Sequence, residues 1–396
     1  MTEYLPVQGG MMKQKLMFIV ETVGGGVRTH VLQLLNGLDP EQYDITLVYG
    51  ERYDHVFEQQ KDELAKKVRL ILMPSMQRTV SPKPLIASIR ELRQVIRDIR
   101  PDIVHCHSSI AGFVGRVAAH KEGVSKIFYT PHAYAFDAPE FSSLKRDAFV
   151  LMERWTSRHA TTRTFNVSRG EYRNALKHHI DRQDKFRVIY NGLPDIELPS
   201  RLEARERLGL RDVVPDESPI VGCCAWLNDR KDPMTFMAIA NRVIAQRPDV
   251  HFVYMGEGEP EFVANVKAYI AKNNLGGNIH LFGYRSDAAL LVPAFDVYLL
   301  SSLYEGMPYS LVEALRAGVP IAATRTTGND EVVLPGRNGE LFGVGKIDEG
   351  VAAVNHLLEQ HPETGTLHDQ VKQTYYDRFT EQQMLDQIVD EYNGNA

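Results

Sequence analysis

Two glutamates that flank a proline form the most informative chemical pattern in this sequence. Glu305 and Glu313 have seven residues between them, including Pro308, where an apolar run ending near Leu300 passes into a helical pattern. Because proline favours the first position of a helix, we expect Glu305 in a loop after a strand and Glu313 on the following helix. The two carboxylates could bind sugar and ribose hydroxyl groups at opposite ends of one ligand. The alternative is two surface acids beside an ordinary loop.

The same loop leads into the start of a helix, which is itself a place for an anion. The first N–H groups of a helix are not used by its own hydrogen bonds, and the helix dipole favours negative charge there. We therefore expect a diphosphate to lie against the backbone N–H groups of Tyr309, Ser310 and Leu311.

A polar loop between another predicted strand and helix carries two adjacent cations. Residues 226–233 read Trp-Leu-Asn-Asp-Arg-Lys-Asp-Pro, so Arg230 and Lys231 lie just before a helix that starts near Pro233. A cation here could neutralise a diphosphate leaving group and stabilise the charge that grows in the transition state. A solvated lysine in a polar loop is the alternative, and this loop alone does not exclude it.

A glycine-rich turn follows the first predicted strand. Residues 21–26 read Glu-Thr-Val-Gly-Gly-Gly and precede a helical pattern. Gly25 and Gly26 permit left-handed backbone conformations and a close approach of a phosphate to the helix N-terminus. The spacing is neither that of a dinucleotide-binding fingerprint nor that of a P-loop. A tight strand-to-helix turn without a ligand is an equally good interpretation.

Three histidines lie at the ends of two neighbouring predicted strands. His105 and His107 alternate with Cys106, so their side chains share one face of the strand, and His132 follows the next strand. A pair at this spacing can bind a metal, but no third ligand is close in the sequence, which favours a polar lining over a zinc site. His132 lies at the carboxyl end of its strand, where ligands bind in parallel α/β sheets.

These motifs depend on a regular alternation of short apolar runs with amphipathic helical patterns. The alternation is typical of parallel sheets covered by helices on both faces, and a charged, Pro-containing break at residues 191–199 divides it into two sets. The predicted fold class is therefore α/β, with two Rossmann-like, doubly wound domains and a ligand cleft between them. The predicted strands are Leu16–Val20, Ile45–Tyr49, Arg69–Met73, Asp102–Cys106, Lys126–Thr130, Thr162–Val167, Arg187–Tyr190, Pro219–Cys224, Val250–Met255, Asn278–Phe282, Asp296–Leu300 and Val319–Ala322.

Four segments follow from this division. Residues 1–12 are expected to be a flexible extension, residues 13–194 the first domain and residues 195–375 the second. Residues 376–396 are expected to form a C-terminal helix that can cross back to the first domain.

Composition limits the class of protein. The 396 residues are 43% hydrophobic and 24% charged, which is ordinary for a globular protein, and three cysteines provide no disulfide framework. No apolar run is long enough to span a bilayer, and the N-terminus does not resemble a signal peptide. We therefore expect a cytoplasmic protein.

Charge is distributed unevenly along the chain. Residues 1–193 carry 28 Lys and Arg against 21 Asp and Glu, whereas residues 194–396 carry 17 against 30. This imbalance predicts an anionic partner for the first half, such as an anionic membrane surface, although solvated helix faces explain it equally well. The basic residues concerned cluster on two predicted helices and are Lys83, Arg90, Arg93, Arg97, Arg100, Lys145, Arg146, Arg154 and Arg158.

Taken together, residues 13–345 resemble glycosyltransferase family 4, a retaining and metal-independent class with the GT-B fold, in which two Rossmann-like domains face each other. The most specific part of the resemblance is the segment from Glu305 to Pro320, Glu-x7-Glu followed by Ala-Leu-Arg-Ala-Gly-Val-Pro. It continues through Thr327–Glu331 and Gly336–Gly339. The resemblance makes the first domain the acceptor domain and the second the donor domain.

The resemblance also implies roles for individual residues. It places Glu305 beside the donor sugar, Glu313 at the ribose and Lys231 at the phosphates. It implies that His132 contacts the transferred sugar near its reacting carbon and that the backbone at Tyr284 holds the nucleobase. The backbone of Gly306, Met307, Pro308 and Tyr309 is expected around the sugar hydroxyls, and Gly25 and Gly26 near the phosphates and acceptor.

One position departs from the family pattern. The family usually carries an arginine five residues before its phosphate-binding lysine, and this sequence has Trp226 there. Either Arg230 supplies the missing cation or Trp226 stacks on the donor or acceptor.

The resemblance implies a hexosyltransferase that acts with retention. The expected donor is a nucleotide diphosphate sugar, with a UDP-sugar as the first candidate. The expected acceptor is a lipid-linked glycan or polysaccharide in exopolysaccharide or cell-envelope synthesis, at the inner face of the membrane. No metal, other cofactor or nucleic acid is expected. A nucleotide-sugar epimerase of the same fold and a non-catalytic nucleotide-sugar-binding protein are the alternatives, whereas the glycine spacing disfavours a dinucleotide oxidoreductase.

Overall fold

The computed structural model describes residues 13–77, 79, 81–137, 141–360 and 365–394. The predicted extension at residues 1–12 lies outside the described residues. Within these ranges, no helix combines the length and the apolar composition needed to cross a bilayer.

The chain divides into two compact units. Unit 1 contains the residues up to Asn166, Tyr172–Val188 and the residues from Gln387 onward, and unit 2 contains Val167–Glu171 and Ile189–Asp386. The chain therefore passes between the units four times.

Unit 1 contains a seven-stranded sheet in which every neighbouring pair is parallel. Its strands are β1 (Gln14–Val23), β2 (Tyr43–Tyr53), β3 (Arg69–Leu72), β4 (Ile103–His107), β5 (Lys126–Thr130), β6 (Arg163–Asn166) and β7 (Phe186–Val188). Their order is β3-β2-β1-β4-β5-β6-β7, the doubly wound arrangement that the alternating pattern predicts. The sheet centre is buried: Leu16 and Val20 of β1 are at most 1% exposed.

Helices connect these strands. They are α1 (Gly25–Gly37), α2 (His55–Leu64), α3 (Pro82–Ile99), α4 (Ser109–Lys121), α5 (Ser143–Ala160) and α6 (Arg169–Lys177). The apolar spacing predicted for α3 is confirmed, because Leu92, Ile96 and Ile99 are buried. That helix ends as expected before Pro101, and Arg100 adopts a left-handed conformation (φ 55°) at its C-terminus.

Unit 2 contains a second parallel sheet, of six strands. Its strands are β8 (Ile220–Cys224), β9 (His251–Met255), β10 (Ile279–Leu281), β11 (Val297–Leu300), β12 (Ile321–Thr324) and β13 (Gly339–Phe342), in the order β10-β9-β8-β11-β12-β13. The predicted fold class of two α/β units with parallel sheets is confirmed. The sequence did not predict β13, because its four residues include a glycine and a glutamate rather than a continuous apolar run.

The described helices of the second half precede, connect and follow these strands along the chain. They are α7 (Arg201–Arg207), α8 (Pro233–Gln246), α9 (Pro260–Lys272), α10 (Ala288–Leu291), α11 (Tyr309–Arg316), α12 (Asn329–Val332), α13 (Ile347–Glu359), α14 (Thr366–Arg378) and α15 (Glu381–Asn393). The last of them, α15, begins in unit 2, and its residues from Gln387 onward belong to unit 1. There, Tyr392 is fully buried, and its carbonyl oxygen accepts a hydrogen bond from Lys126 Nζ at 2.6 Å.

Candidate active site

The loops that follow β8 and β11 are held side by side. The Ser301 hydroxyl donates to the carbonyl oxygens of Lys231 (3.0 Å) and Asp232 (2.9 Å). The backbone N–H of Leu303 donates to the Arg230 carbonyl oxygen at 2.8 Å. Because β8 and β11 are neighbours in the sheet, the two-cation loop and the glutamate loop meet at the carboxyl ends of the strands.

Glu305 lies at the centre of this junction. Its side chain is only 1% exposed and pairs with both cations: Lys231 Nζ is 2.5 Å from Oε1, and Arg230 Nη2 pairs with Oε2. Burial alone would raise the pKa of this carboxyl, but Arg230 and Lys231 outweigh burial and lower its pKa to about 2. Glu305 is therefore a carboxylate near neutral pH.

The two cations remain accessible to different degrees. The side chain of Lys231 is 17% exposed and that of Arg230 is 38% exposed. Arg230 also donates from Nε to the Tyr304 carbonyl oxygen at 3.2 Å and lies 5.3 Å from the centre of its ring. Trp226, at the position of the family's arginine, is half-exposed. The structure thus puts a second cation, Arg230, beside Lys231 in the same ion-pair cluster.

The backbone after Glu305 is fixed by close packing. Gly328 has φ 85°, and a Cβ there would lie 2.1 Å from the Gly306 carbonyl oxygen, so this close approach requires glycine. The Asn191 side-chain amide donates to the Met307 carbonyl oxygen at 3.1 Å. Sequence reasoning assigned no role to Asn191, which is buried and is the first residue of the predicted break at residues 191–199, all of which belongs to unit 2.

The helix after this segment starts one residue later than predicted. Pro308 is the N-cap residue, with extended backbone, and α11 begins at Tyr309. The backbone N–H of Leu311 donates to the Pro308 carbonyl oxygen at 3.2 Å, so one of the three amides expected at a diphosphate already has an acceptor. The side chains of Tyr309 and Leu311 are buried, whereas Ser310 is partly exposed. These residues can therefore present mainly backbone groups to a ligand.

Two other predicted donor residues occupy separate positions in unit 2. Glu313 is partly buried on α11. Burial is the largest cause of the raised pKa of the Cys224 thiol, and the charge of Glu313 is the second, so Glu313 lies near the end of β8. Tyr284 follows β10 and is 36% exposed. In the strand order, β9 and β8 lie between β10 and β11, so Tyr284 is separated from the glutamate loop by two strands.

The glycine turn of unit 1 already has a carboxylate next to it. Gly25 adopts φ 54°, as expected of a residue that needs left-handed backbone, but Gly24 is extended. The Gly25 N–H donates to Asp54 Oδ2 at 3.3 Å, and Arg28 forms an ion pair with the same oxygen. The start of α1 therefore has an internal anion at a position where a phosphate was expected, while Gly26 is exposed.

A histidine cluster forms at the carboxyl ends of β4 and β5. His107 Nδ1 and His132 Nε2 are 3.2 Å apart, and the His30 ring lies 4.8 Å from that of His132. Burial, then neighbouring histidines, hold the pKa of His107 and of His132 well below its usual value, so both are neutral. His30 is the third metal-type ligand that the sequence spacing lacked; the ligand atoms of His30, His107 and His132 lie within 4.8 Å of one another.

His105, in contrast, is held by hydrogen bonds at both of its ring nitrogens. Its Nδ1 is 2.6 Å from the Tyr392 hydroxyl, and its Nε2 is 2.8 Å from the Thr130 hydroxyl, so both ring nitrogens have partners. The predicted common orientation of His105 and His107 holds, with ring centres 4.2 Å apart. His132 itself has φ 54° and the next residue, Ala133, has φ 77°, a pair of left-handed non-glycine residues of the kind that is often found at functional sites.

Comparison with known families covers most of the chain. Residues 24–195 match the family described as Glycosyltransferase Family 4, and residues 218–360 match the family described as Glycosyl transferases group 1. The two matches correspond to the two halves of the chain that the alternating pattern separates.

Two similar relatives are named as glycosyltransferases and come from bacteria. The chain is 30% identical over 345 residues to the UDP-Gal:alpha-D-GlcNAc-diphosphoundecaprenol alpha-1,3-galactosyltransferase of Escherichia coli, covering 84% of this chain and 85% of that protein. It is 27% identical to the putative glycosyltransferase EpsD of Bacillus subtilis, covering 78% of this chain and 81% of that protein.

Among solved structures, the crystal structure of Anabaena HepE in complex with UDP is similar to this chain. The TM-score is 0.78 at 18% identity, with 96% of this chain and all of the other covered. Together with the two parallel sheets, this similarity confirms the predicted GT-B class of fold.

Proposed function

Since this chain belongs to glycosyltransferase family 4 and is a glycosyltransferase, we propose that it transfers a hexose from a UDP-sugar, with retention, to a lipid-linked acceptor. The acceptor belongs to polysaccharide or cell-envelope synthesis. Support for a UDP donor and a lipid diphosphate acceptor comes from the name of the Escherichia coli relative, which is 30% identical to this chain. Support for the setting comes from relatives whose names place them in polysaccharide or lipopolysaccharide core biosynthesis.

The observation that carries the proposal is the buried carboxylate of Glu305 between two cations. Arg230 and Lys231 both pair with it, and the start of α11 follows four residues later. In the free protein Glu305 balances one of the two positive charges, so the cluster keeps a net positive charge. A donor diphosphate brings a second anion to them, and Glu305 then turns its acceptor oxygens toward the sugar hydroxyls.

The chemical step breaks one bond and forms one. The bond between the sugar's anomeric carbon and the β-phosphate oxygen breaks, the acceptor oxygen bonds to the same face of that carbon, and the acceptor's proton moves to the departing phosphate. Lys231 and Arg230 stabilise the negative charge that develops on the leaving diphosphate, and the first amides of α11 add to this effect. We assign His132 to contact with the transferred sugar, where a neutral imidazole can donate or accept a hydrogen bond.

The test is the replacement of one cation. Lys231→Ala should lower kcat by roughly 100- to 1,000-fold, as removal of a single electrostatic donor to a transition state does. The measurement is UDP release from UDP-hexoses in the presence of a GlcNAc-diphosphate lipid analogue.

The matched control is Lys267→Ala, which changes an exposed lysine on α9 and should keep wild-type turnover. An unchanged kcat in Lys231→Ala would remove this residue from the mechanism. Formation of an epimerised hexose from donor alone would instead indicate an epimerase.

A further inference from the structure

Three histidines from separate elements of unit 1 come together at the carboxyl ends of β4 and β5. His30 lies on α1, His107 is the last residue of β4, and His132 follows β5. Among the described residues, they are the one group of three or more His, Cys, Asp or Glu side chains whose ligand atoms are close enough to hold one metal ion. These atoms all lie within 4.8 Å of one another, so modest rotations of the rings bring them around a single ion.

One pair in this cluster already has the spacing of two zinc ligands. His107 Nδ1 and His132 Nε2 are 3.2 Å apart. Two nitrogens bound to one tetrahedral zinc ion at about 2.0–2.1 Å lie about 3.3 Å apart. When zinc replaces this hydrogen bond, the hydrogen between the two nitrogens moves to the other nitrogen of its own ring. Both imidazoles therefore stay neutral, as metal ligands must be.

His107 also has a ring nitrogen that this hydrogen bond does not use. Its Nε2 is buried and has no hydrogen-bond partner within the part of the chain that the structure describes. A buried polar atom without a partner costs free energy, and such atoms are rare in folded proteins. His107 can therefore bind an ion through Nε2 directly or through Nδ1 after the hydrogen has moved, and the described residues alone leave its ring incompletely satisfied.

The surrounding elements hold the histidine rings in this arrangement. His105 is fixed by two hydrogen bonds, and its ring centre lies 4.2 Å from that of His107. The ring of Phe18 on β1 packs against His107 with centres 5.7 Å apart. His30 and His107 are buried, whereas His132 is partly exposed and gives an ion a path to the cluster. Ligands that are held in place before binding lose little conformational freedom when the metal arrives.

The ligand type decides which metal fits. Imidazole nitrogen suits zinc and its neighbours in the transition series, whereas magnesium and calcium select oxygen ligands. Three histidines are an established ligand set for zinc, with the fourth position left to water or another small group. Zn²⁺ is therefore the ion that we expect at this cluster.

A pair of histidines in unit 2 provides an internal comparison. His251 Nδ1 and His280 Nε2 are 3.1 Å apart, and their rings are stacked. No third His, Cys, Asp or Glu ligand joins this pair within the described ranges. The pair has the same contact between two rings without the third ligand, so its loss should leave tight zinc binding unchanged.

We propose that His30, His107 and His132 bind Zn²⁺ and that the bound ion inhibits sugar transfer. The inhibition rests on the proposed function, in which His132 contacts the transferred sugar, because a ring nitrogen that is bound to zinc cannot hydrogen-bond to a sugar hydroxyl. The site regulates the enzyme and supplies nothing to the chemical step, so it is compatible with transfer that needs no metal.

The first experiment measures zinc affinity of the full chain after EDTA has been added and removed. Zn²⁺ is titrated in competition with a chromophoric chelator, and the wild type should bind one ion tightly per chain. His30→Gln and His107→Gln should each weaken binding by about 100-fold or more, because even the outer partners of metal ligands change affinity 10- to 100-fold. Mg²⁺ should not compete with zinc.

Matched controls replace histidines outside the cluster. His280→Gln breaks the histidine pair of unit 2, and His120→Gln changes an exposed residue of α4. Both should bind zinc like the wild type. Circular dichroism in the absence of metal checks that each variant is folded. Equal zinc affinity in the wild type and in folded His30→Gln and His107→Gln would overturn the site.

Two further readouts depend neither on activity nor on a substitution. Co²⁺ bound by nitrogen ligands in tetrahedral geometry absorbs visible light much more strongly than hydrated, octahedral Co²⁺. The wild type should therefore gain strong visible bands with one equivalent of Co²⁺, and Zn²⁺ should displace them. The midpoint of thermal unfolding should rise with zinc concentration. A weak octahedral spectrum together with an unchanged midpoint would contradict the proposal.

Rates of transfer test the inhibition. Saturating Zn²⁺ should lower hexose transfer by the wild type by about tenfold, the effect of losing one hydrogen bond in the transition state, and EDTA should restore it. In His30→Gln, the ratio of the rates with and without zinc should stay near one, whatever the rate of that variant. Equal inhibition of the wild type and His30→Gln, or no inhibition of the wild type, would overturn the regulatory role.

Failure of this inference can be told from failure of the proposed function. If the zinc-free wild type transfers no sugar, the proposed function fails, while the zinc titration and the cobalt spectrum still decide whether the histidines bind metal. If the wild type transfers sugar and the histidine substitutions leave zinc affinity unchanged, the inference fails and the proposed function stands.

Discussion

Glu305 keeps a negative charge in a buried position because two cations surround it. Its pair with Lys231 is short, and both interactions lower the carboxyl's pKa to about 2 against the opposing effect of burial. A buried charge without such partners would be unstable, so the three side chains form one ion-pair cluster. We propose that a donor phosphate binds this cluster, because the two cations are already held in place before a donor arrives.

The first prediction concerns the charge of that carboxylate. Glu305→Gln keeps the shape of the side chain and removes its charge, so kcat/KM should fall roughly 10- to 150-fold, the equivalent of about 1.5–3 kcal/mol for a charge-assisted hydrogen bond. The control is Glu261→Gln, at an exposed position of α9, which should behave like wild type. Identical steady-state kinetics in both variants would show that Glu305 does not act on the donor.

The same residue predicts a feature of the pH profile. Its folded-state pKa of about 2 lies below the ordinary value of 4.5, so its ionised form is favoured by folding, and the resulting stability is present above pH 4.5 and is lost as pH falls toward 2. The rate of the wild-type enzyme should therefore show no ionisation of Glu305 above about pH 5. An acidic limb above that pH that disappears in Glu305→Gln would contradict the assignment.

Metal dependence is a separate residue-scale prediction. We propose that transfer needs no metal, since Arg230 and Lys231 supply the positive charge that a metal would otherwise bring to the diphosphate. Dialysis against EDTA should leave the rate of UDP release unchanged. If the rate is lost and returns with a divalent ion, the His30, His107 and His132 cluster is the first place to search, and His107→Ala should then abolish the recovery.

At the scale of elements, the buried ion pair between α4 and α5 has a structural consequence. Arg116 is fully buried, bonds to Glu153 and lies 3.8 Å from the centre of the Tyr129 ring. Glu153→Gln leaves this cation without its counter-charge, so the free energy of unfolding should fall by about 3–5 kcal/mol. Urea denaturation measures the change. Glu63→Gln, in an exposed pair on α2, is the control and should have little effect, and equal stabilities of the two variants would contradict the account.

The elements that the sequence predicted best are those with long, regular patterns. The apolar spacing of α3 and the continuous apolar centre of β1 are examples, because burial dictates one face of the helix and both faces of the strand. β13 was missed because its pairing with β12, Ile321 opposite Gly339, comes from tertiary structure rather than local preference.

The candidate site was predictable as motifs but not as contacts. The sequence singled out Arg230, Lys231 and Glu305 separately, while their ion pairs exist because β8 and β11 are neighbours in the sheet. His30 could be noticed only as a polar residue next to Val31 on the buried face of α1. Its place in a histidine cluster could not be predicted, because β4 and β5 bring the other two histidines to it only in the folded chain.

At the scale of the whole molecule, the net charge of each half can be compared with the local charge of a site within it. The first half has seven more basic than acidic residues, and the second half has thirteen more acidic than basic residues. Arg230 and Lys231 nevertheless lie together at one buried carboxylate in the second half. The net charge of a half therefore does not describe the charge of a site within it.

The central claim is that this chain moves a hexose from a UDP-sugar to a lipid-linked acceptor with retention. Proton NMR of a reaction between UDP-hexose and a GlcNAc-diphosphate lipid analogue tests it most directly. We predict one new glycosidic linkage with the anomeric configuration of the donor and one UDP released for each linkage formed. A product of inverted configuration, or UDP release without any new linkage, would contradict the account.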